Sequence, residues 1–390
     1  MTRPFDRLRV APLRPGGPAP SGVEGRPVRA LVSGYYGFGN AGDEAILAGL
    51  VEGFRQLAPH VELTILSGDP AATTSEHAVA AVGRDLSGLP AKLRNCDLLI
   101  SGGGGLLQDA TSWRSPLYYL AVLRMARRAG LPTACIGHGI GPLRRWWVRR
   151  LTRRALSHVD VLTLRDSVSL EAVRSLGIAH QAEVTADLAF VLPAPTTADT
   201  EGAWRKSGLA PAARPAIGIA LRRPTGPAHS DLAARLAASV GAACQQLGLR
   251  PVLVPMQHPR DVEFASDVAS AMRTSAEIMR AHLTARELLA LIASFDLVVA
   301  MRLHALIFAA ICGRPIVAIS YDPKVDGLMA ELGLEAATAV DEFDPEALVR
   351  GITAAWERRA EVGATLSARA ASLRARARRN VELVLPLIGG

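Results

Sequence analysis

The chain has 390 residues, 21% of them charged and 49% hydrophobic, a globular composition long enough for two cores rather than one. No apolar run reaches the roughly 18 residues needed to span a bilayer, and the first 27 residues carry Arg, Pro and Gly without the apolar stretch of a secretory signal. A net charge of +8 beside only 5% aromatic residues and no nucleic-acid-binding motif leaves anionic small molecules, an anionic membrane or merely solvated arginine-rich helix faces as explanations.

The first 27 residues read as a flexible tail. A strand is expected over 28–33, then a Gly-rich turn, a helix over 43–57 and a strand over 61–66. Strand, glycine turn, helix, strand is the opening of a doubly wound α/β fold. Further strands are expected over 77–82, 97–101, 133–137, 161–164 and 182–185, with helical spacing between them. The texture turns to Pro, Ala, Thr and Gly over 196–215, which reads as a linker. A second alternation follows, with strands over 216–221, 251–255, 277–279, 297–300 and 315–320 and helices between them. Two helical stretches close the chain, over about 345–359 and 366–384. The expected architecture is α/β, with two Rossmann-like domains facing a cleft: residues 28–195 and 216–360, then a C-terminal helix over 361–390. Four cysteines lie in or beside apolar segments without paired spacing, so they read as reduced, buried thiols.

Chemistry concentrates at the strand ends. Gly37-Phe38-Gly39-Asn40-Ala41-Gly42 fits the dinucleotide fingerprint G-x-G-x-x-G. The acid that should end the next strand to hold a ribose is missing, so NAD is disfavoured. The turn brings Asp43 and Glu44 to a helix start facing the cleft, where a plain N-cap is the alternative to catalysis. Ser101-Gly102-Gly103-Gly104-Gly105 is costly to order and suggests either a ligand passing close to the backbone or tight packing, with Gln108 and Asp109 available to a polyhydroxyl substrate. His138, in Gly137-His138-Gly139, would line the same cleft, or belong to a structural turn. Arg165 ends a strand where a planar fork could grip a carboxylate or phosphate, or pair internally with Asp166 or Asp187. Met301-Arg302-Leu303-His304 follows an uncharged strand, and Lys324 follows the next one. Charges at strand ends are costly unless paired or used, and three potential cations here suggest an anionic ligand. No cluster of metal ligands presents itself in the sequence.

Arg144-Arg145-Trp146-Trp147-Val148-Arg149-Arg150-Leu151-Thr152-Arg153-Arg154 spaces arginine pairs helically around two tryptophans. Such a helix could rest on an anionic membrane. Its tryptophans could equally pack onto the core or onto a partner subunit.

Taken together, the N-A-G-D-E turn (Asn40 to Glu44), the four-glycine loop, Gly137 to Pro142, Leu164 to Ser167, the R-L-H triplet and Tyr321 to Lys324 resemble the polysaccharide pyruvyl transferase family. The resemblance covers roughly residues 28–360 and is strongest toward a bacterial cell-wall branch whose products anchor S-layer proteins. It implies a GT-B-like fold with the active site between the domains, phosphoenolpyruvate as donor substrate, and no cofactor or metal. It implies a sugar diol as acceptor, in that branch N-acetylmannosamine in a lipid-linked precursor, and a cyclic pyruvate ketal plus phosphate as products. Asp43 would be an acid–base residue and His304 would hold the donor, and which of the two protonates it is left open. Arg165, Arg302, Leu303 and Lys324 would hold substrate, with Asn40, Gly103, Gly104, Gln108, Asp109 and His138 around them. A cytoplasmic enzyme, peripheral to the inner face of the membrane, is the corresponding location; the sequence allows a homo-oligomer. Two other readings remain open: a GT-B sugar-nucleotide glycosyltransferase, for which no acidic ribose ligand can be placed in the second domain, and a non-catalytic carbohydrate-binding protein, against which the joint presence of these groups argues.

Overall fold

The computed structural model describes residues 26–110, 112–178, 181–210, 215–224 and 231–389; all but the last two residues of the expected tail lie outside them. The N-terminal half holds β1 (Val28–Tyr36), β2 (Val61–Ser67), β3 (Ala80–Gly83), β4 (Leu98–Ser101), β5 (Gly104–Leu107), β6 (Thr133–Ile140), β7 (Val161–Leu164) and β8 (Ala182–Val184). They form one parallel sheet in the order β3-β2-β1-β4-β6-β7-β8, with β5 beside β6. The C-terminal half holds β9 (Ala216–Ala220), β10 (Arg250–Leu253), β11 (Glu277–Ile278), β12 (Leu297–Ala300), β13 (Ile316–Ser320) and β14 (Thr338–Ala339). These are also parallel, in the order β11-β10-β9-β12-β13-β14. Helices cover both faces, so central strands such as β4, β9 and β12 are buried along their whole length, as parallel strands must be.

In each sheet the strand order reverses at the first strand, between β1 and β4 and between β9 and β12. A crevice opens outside the strand ends at such a point. The chain leaves β1 into the turn before helix Ala41–Leu57 and leaves β12 into helix Leu303–Ile311. The two crevices therefore carry the N-A-G-D-E turn and the R-L-H triplet.

The halves share an apolar core. Ala41, Ala45 and Ala48 pack in one cluster with Phe190, Leu289, Leu303, Leu306, Phe308 and Leu373. The Ala41 amide donates to the Met256 carbonyl at 3.0 Å, and Asn40 pairs with Gln257 as an isolated antiparallel bridge. The last helix, Arg359–Glu382, runs back across both halves. Leu366 and Leu373 enter the shared cluster and Val381 enters the N-terminal core. Asn380 is fully buried. Its Oδ1 accepts from the hydroxyls of Thr163 and Thr185, and its Nδ2 donates to the carbonyls of Ala186 (3.1 Å) and Ala377 (2.9 Å).

Three local expectations change. The stretch taken as a linker contains the helix Thr197–Ser207, because Thr196 and Asp199 form a reciprocal capping box that outweighs the loop-like composition; its residues 211–214 lie outside the described set. Residue 77 ends helix Pro70–His77 instead of opening a strand. The strand expected to stop at 137 continues to Ile140, because β5 pairs with its far end.

Candidate active site

The helix start assigns its own roles. Asn40 is the N-cap, its side chain accepting from the Gly42 amide at 3.1 Å, so Asp43 is not a cap and projects from the first turn. Glu44 turns away from Asp43. It accepts from the Gly37 amide at 2.8 Å and pairs with His77 Nε2 at 3.1 Å, buried. Glu44 is thus engaged with the turn and with His77, while Asp43 has no such partner. Its carboxylate lies against the glycine loop: a Cβ added at Gly104, which has φ +100°, would stand 3.1 Å from Asp43 Oδ1. No described residue hydrogen-bonds it. Burial pushes its pKa from 3.8 to about 7; His304 and Lys324 pull it down, while Glu44 and Asp187 push it up. A carboxyl poised there can both give and accept a proton at neutral pH.

His304 comes to the turn that carries Asp43 from the other half, near enough to lower the Asp43 pKa electrostatically. Its ring covers Gly42 so closely that a Cβ there would stand 2.2 Å from Nδ1. Its Nε2 faces Asp187 Oδ2 at 3.5 Å, and the same oxygen lies 3.6 Å from Arg165 Nη1. Burial opposes the charge on Asp187, but His304, Arg165 and the Ala189 amide outweigh it and hold the carboxyl below its usual range. Arg165 is buried, donates from Nε to Asp166 Oδ2 at 2.9 Å and lies against Gly139, where a Cβ would stand 2.7 Å from Nη2. Both internal partners foreseen for Arg165 are present, on one guanidinium.

The cations of the second half divide. Arg302 forks onto Asp261, donating from Nε at 2.9 Å and from Nη2, with Gln257 also within reach at 3.3 Å. Asp261 is buried and also accepts from the amides of Met256 and Gln257 at 3.1 and 3.0 Å. Arg302 therefore braces the loop that touches Asn40 and Ala41. Arg302→Ala leaves that carboxylate buried and unpaired, so urea unfolding should show a loss of about 3–5 kcal/mol. Arg302→Lys should recover only part of it, since an ammonium cannot span both oxygens; an unchanged midpoint for the alanine variant would count against the brace. Lys324 lies 3.2 Å from Asp322 and shares the ring of Tyr321 with Arg222, at 5.1 and 4.5 Å. Burial would raise the Tyr321 hydroxyl, but these two cations hold its pKa below the ordinary value.

Several expected cleft residues serve the frame instead. His138 is fully buried within β6, with Nε2 at 3.1 Å from the Ser101 hydroxyl and 3.2 Å from its carbonyl. Burial lowers its pKa to about 4, so it is a neutral tie between β4 and β6. Asp109 is buried and accepts from the amides of Arg144 and Arg145 at 2.6 and 2.8 Å, fixing the turn before helix Trp146–Leu156. Gln108 accepts from the Ala110 amide at 2.9 Å. Leu303 is buried in the shared core. Gly103 is required by packing, since a Cβ would stand 2.8 Å from the Gly137 carbonyl oxygen. One ligand-type group absent from the sequence reading does exist: Glu44, Glu76 and His77 bring such atoms within 4.8 Å of one another. They are already engaged, His77 with Glu44 and Glu76 with the Ala285 amide at 2.9 Å.

The model of the polysaccharide pyruvyl transferase family matches residues 40–323. The chain belongs to that family. The match contains Asp43, Arg165, Asp187, Asp261, Arg302, His304 and Tyr321 and ends one residue before Lys324. Family membership thus covers both walls of the crevice but not the last helix. Among curated proteins, the amylovoran biosynthesis protein AmsJ of Erwinia amylovora is 25% identical over 368 residues, covering 79% of this chain and 86% of that one. Among solved structures, the UDP-GlcNAc 2-epimerase of Neisseria meningitidis bound to UDP-GlcNAc aligns with TM-score 0.64 at 11% identity, covering 92% of this chain and all of the other. A glycosyltransferase from Rickettsia africae aligns with TM-score 0.59 at 12% identity, covering 93% and 99%. At such identities the likeness concerns the fold, which is GT-B-like.

Proposed function

We propose that the protein transfers pyruvate from phosphoenolpyruvate to a sugar diol, forming a cyclic ketal and releasing phosphate. The observation that carries this reading is the meeting of Asp43 and His304 from opposite halves, with Arg165 and Lys324 as cations on the two sides. The methylene carbon of the donor must gain a proton, the central carbon must accept one sugar hydroxyl and then the second, and both hydroxyls must lose their protons. One of those protons replaces the proton delivered to the methylene, and the other leaves with phosphate. Asp43, whose carboxyl is carried to about 7 by burial, is suited to take a hydroxyl proton and return one; His304 serves the donor side. Arg165 and Lys324 neutralise the carboxylate and phosphate, and Arg302 holds the loop that closes the halves. These side chains suffice without a resident metal or cofactor.

The acceptor in this reading is N-acetylmannosamine in a lipid-linked precursor of a bacterial cell-wall polysaccharide of the S-layer-anchoring kind. The test is phosphate release from phosphoenolpyruvate across a panel of N-acetylhexosamine acceptors, with mass analysis for the ketal. Consumption of a sugar nucleotide in place of phosphoenolpyruvate would overturn the reading.

A lipid-linked acceptor calls for contact with the inner face of the membrane, and helix Trp146–Leu156 is suited to it. Among the described residues no helix is long and apolar enough to cross a membrane, yet Trp146 is 74% and Leu151 42% exposed, with Trp113 (41%) nearby against Trp147. Arg149, Arg150, Arg153 and Arg154 line a groove of about 450 Å³ beside them, and none pairs with a carboxylate among the described residues. Arginines without a carboxylate partner, flanked by an exposed indole, match an anionic phospholipid surface. The protein should pellet with phosphatidylglycerol vesicles at low salt and stay in solution when these four arginines are changed to Gln. Absence of pelleting at low salt would exclude the contact.

A further inference from the structure

We propose that Asp187 is the positioning residue of His304, fixing which ring nitrogen carries the proton, and that it is held in place by Asn380 of the last helix. The catalytic consequence rests on the reading above; the structural claim does not.

Asp187 caps the short 3-10 turn Leu188–Val191, and its Oδ1 accepts from the Ala189 amide at 2.9 Å. That bond orients the carboxylate, leaving Oδ2 aimed away from the turn. Oδ2 is buried and makes no hydrogen bond, and the nitrogen it faces, His304 Nε2, is buried and unpartnered as well, 3.5 Å away. Two buried, unsatisfied polar atoms facing each other at that distance are costly unless they pair. Pairing takes only a small approach of a ring mounted at the helix start. A carboxylate oxygen can only accept, so the proton must sit on Nε2. The other nitrogen, Nδ1, then keeps its lone pair where the ring lies over Gly42, next in sequence to Asp43. A ring so fixed can accept a proton at Nδ1 and return it there. Arg165, 3.6 Å from the same Oδ2, keeps that oxygen anionic.

The frame beneath is knit by hydrogen bonds. The Thr185 amide donates to the Leu164 carbonyl at 2.8 Å. Asn380 gathers the hydroxyls of Thr163 and Thr185 and donates to the Ala186 carbonyl. Thr163, two residues before Arg165, and Thr185 and Ala186, just before Asp187, are therefore tied to one amide of the last helix.

Asp187→Asn tests the assignment. The substituted amide must still turn its oxygen to the Ala189 N–H, which puts its NH2 group opposite His304 Nε2. A donor there makes Nε2 the acceptor and moves the ring proton to Nδ1. In protein labelled with 13C-histidine, the His304 Cδ2 resonance, assigned with His304→Gln, reports the tautomer at a pH where the ring is neutral. Wild type should show the Nε2–H form and Asp187→Asn the Nδ1–H form. The kcat should fall about 10²–10⁴-fold, the range of a misdirected acid–base group. Asn380→Ala, in which the frame loosens, should broaden or shift the same resonance less. A role confined to stability would lower the melting temperature and leave the tautomer unchanged. A folded Asp187→Asn variant with the wild-type resonance overturns the proposal. If that variant does not fold, the wild-type spectrum decides, because an Nδ1–H form there overturns it directly. None of these resonances depends on pyruvate transfer, so a failure of the proposed reaction would be seen separately.

Discussion

Replacing Asp43 by Asn should stop product formation while leaving binding of the proposed donor, phosphoenolpyruvate, nearly unchanged. The amide keeps the shape and loses the proton chemistry, so kcat should fall by about 10²–10⁴-fold, what a positioned acid–base group contributes. Single-turnover assays and donor titration by calorimetry separate the two effects; a variant with full turnover would remove Asp43 from the mechanism. The same substitution carries a stability signature of opposite sign. A carboxyl whose folded pKa rises from 3.8 to about 7 keeps a proton in the folded state that the unfolded chain releases. The wild-type fold therefore loses stability as pH climbs through that window, and the loss is complete above it. The neutral amide does not titrate. Asp43→Asn should thus melt higher than wild type at pH 8, and the difference should vanish below pH 3.8. Thermal unfolding at both values checks the sign. An inactive variant that gains stability only at high pH would be hard to explain by damage to the fold.

Gly42→Ala should be nearly as harmful, for a different reason. Gly42 lies in the first turn of helix Ala41–Leu57 and has no need of left-handed backbone, so alanine should favour the helix by roughly 1 kcal/mol. Its Cβ, however, would stand 2.2 Å from His304 Nδ1 and 2.8 Å from two ring carbons. The imidazole must leave its place over the turn. A displacement near 1 Å in a reacting group costs on the order of 10²-fold, so activity should drop at least that far while circular dichroism remains that of the wild type. Retained wild-type kcat would mean that the close packing of His304 on the turn is dispensable.

The fold was readable because its signals are local. Parallel strands covered on both faces appear as short apolar runs, and their ends are marked by glycine or by one charged residue, as at Gly37, Gly102, Arg165 and Arg302. The pair proposed to move protons was readable for the same reason, since Asp43 and His304 each follow a strand by a few residues. Their partners were not. Asp261 meets Arg302 across 41 residues and Asn380 meets Thr185 across 195, and nothing in the sequence around either announces the pairing. Asp187 stood in view as a partner for Arg165, but its approach to His304 depends on how the halves are set against each other. His138 was misplaced because the strand was expected to end at 137. The extra pairing of Gly104–Leu107 with β6 draws it inside, and no period-2 pattern marks a four-residue strand half made of glycine. Asp109 looked like a substrate ligand because a carboxylate after a glycine loop resembles one. The two amides it accepts from lie 35 and 36 residues further on.

The returning helix Arg359–Glu382 also bears on when the enzyme exists as one. The first half can lay down its sheet as soon as β8 has been made, and the second can do the same after β14. Yet part of the apolar surface that joins them, Leu366 and Leu373, and the amide that ties Thr163 to Thr185 and Ala186 come from this helix. During synthesis the growing polypeptide would therefore carry both walls of the crevice without their closing beam, and the site would be assembled only once residue 380 has left the ribosome.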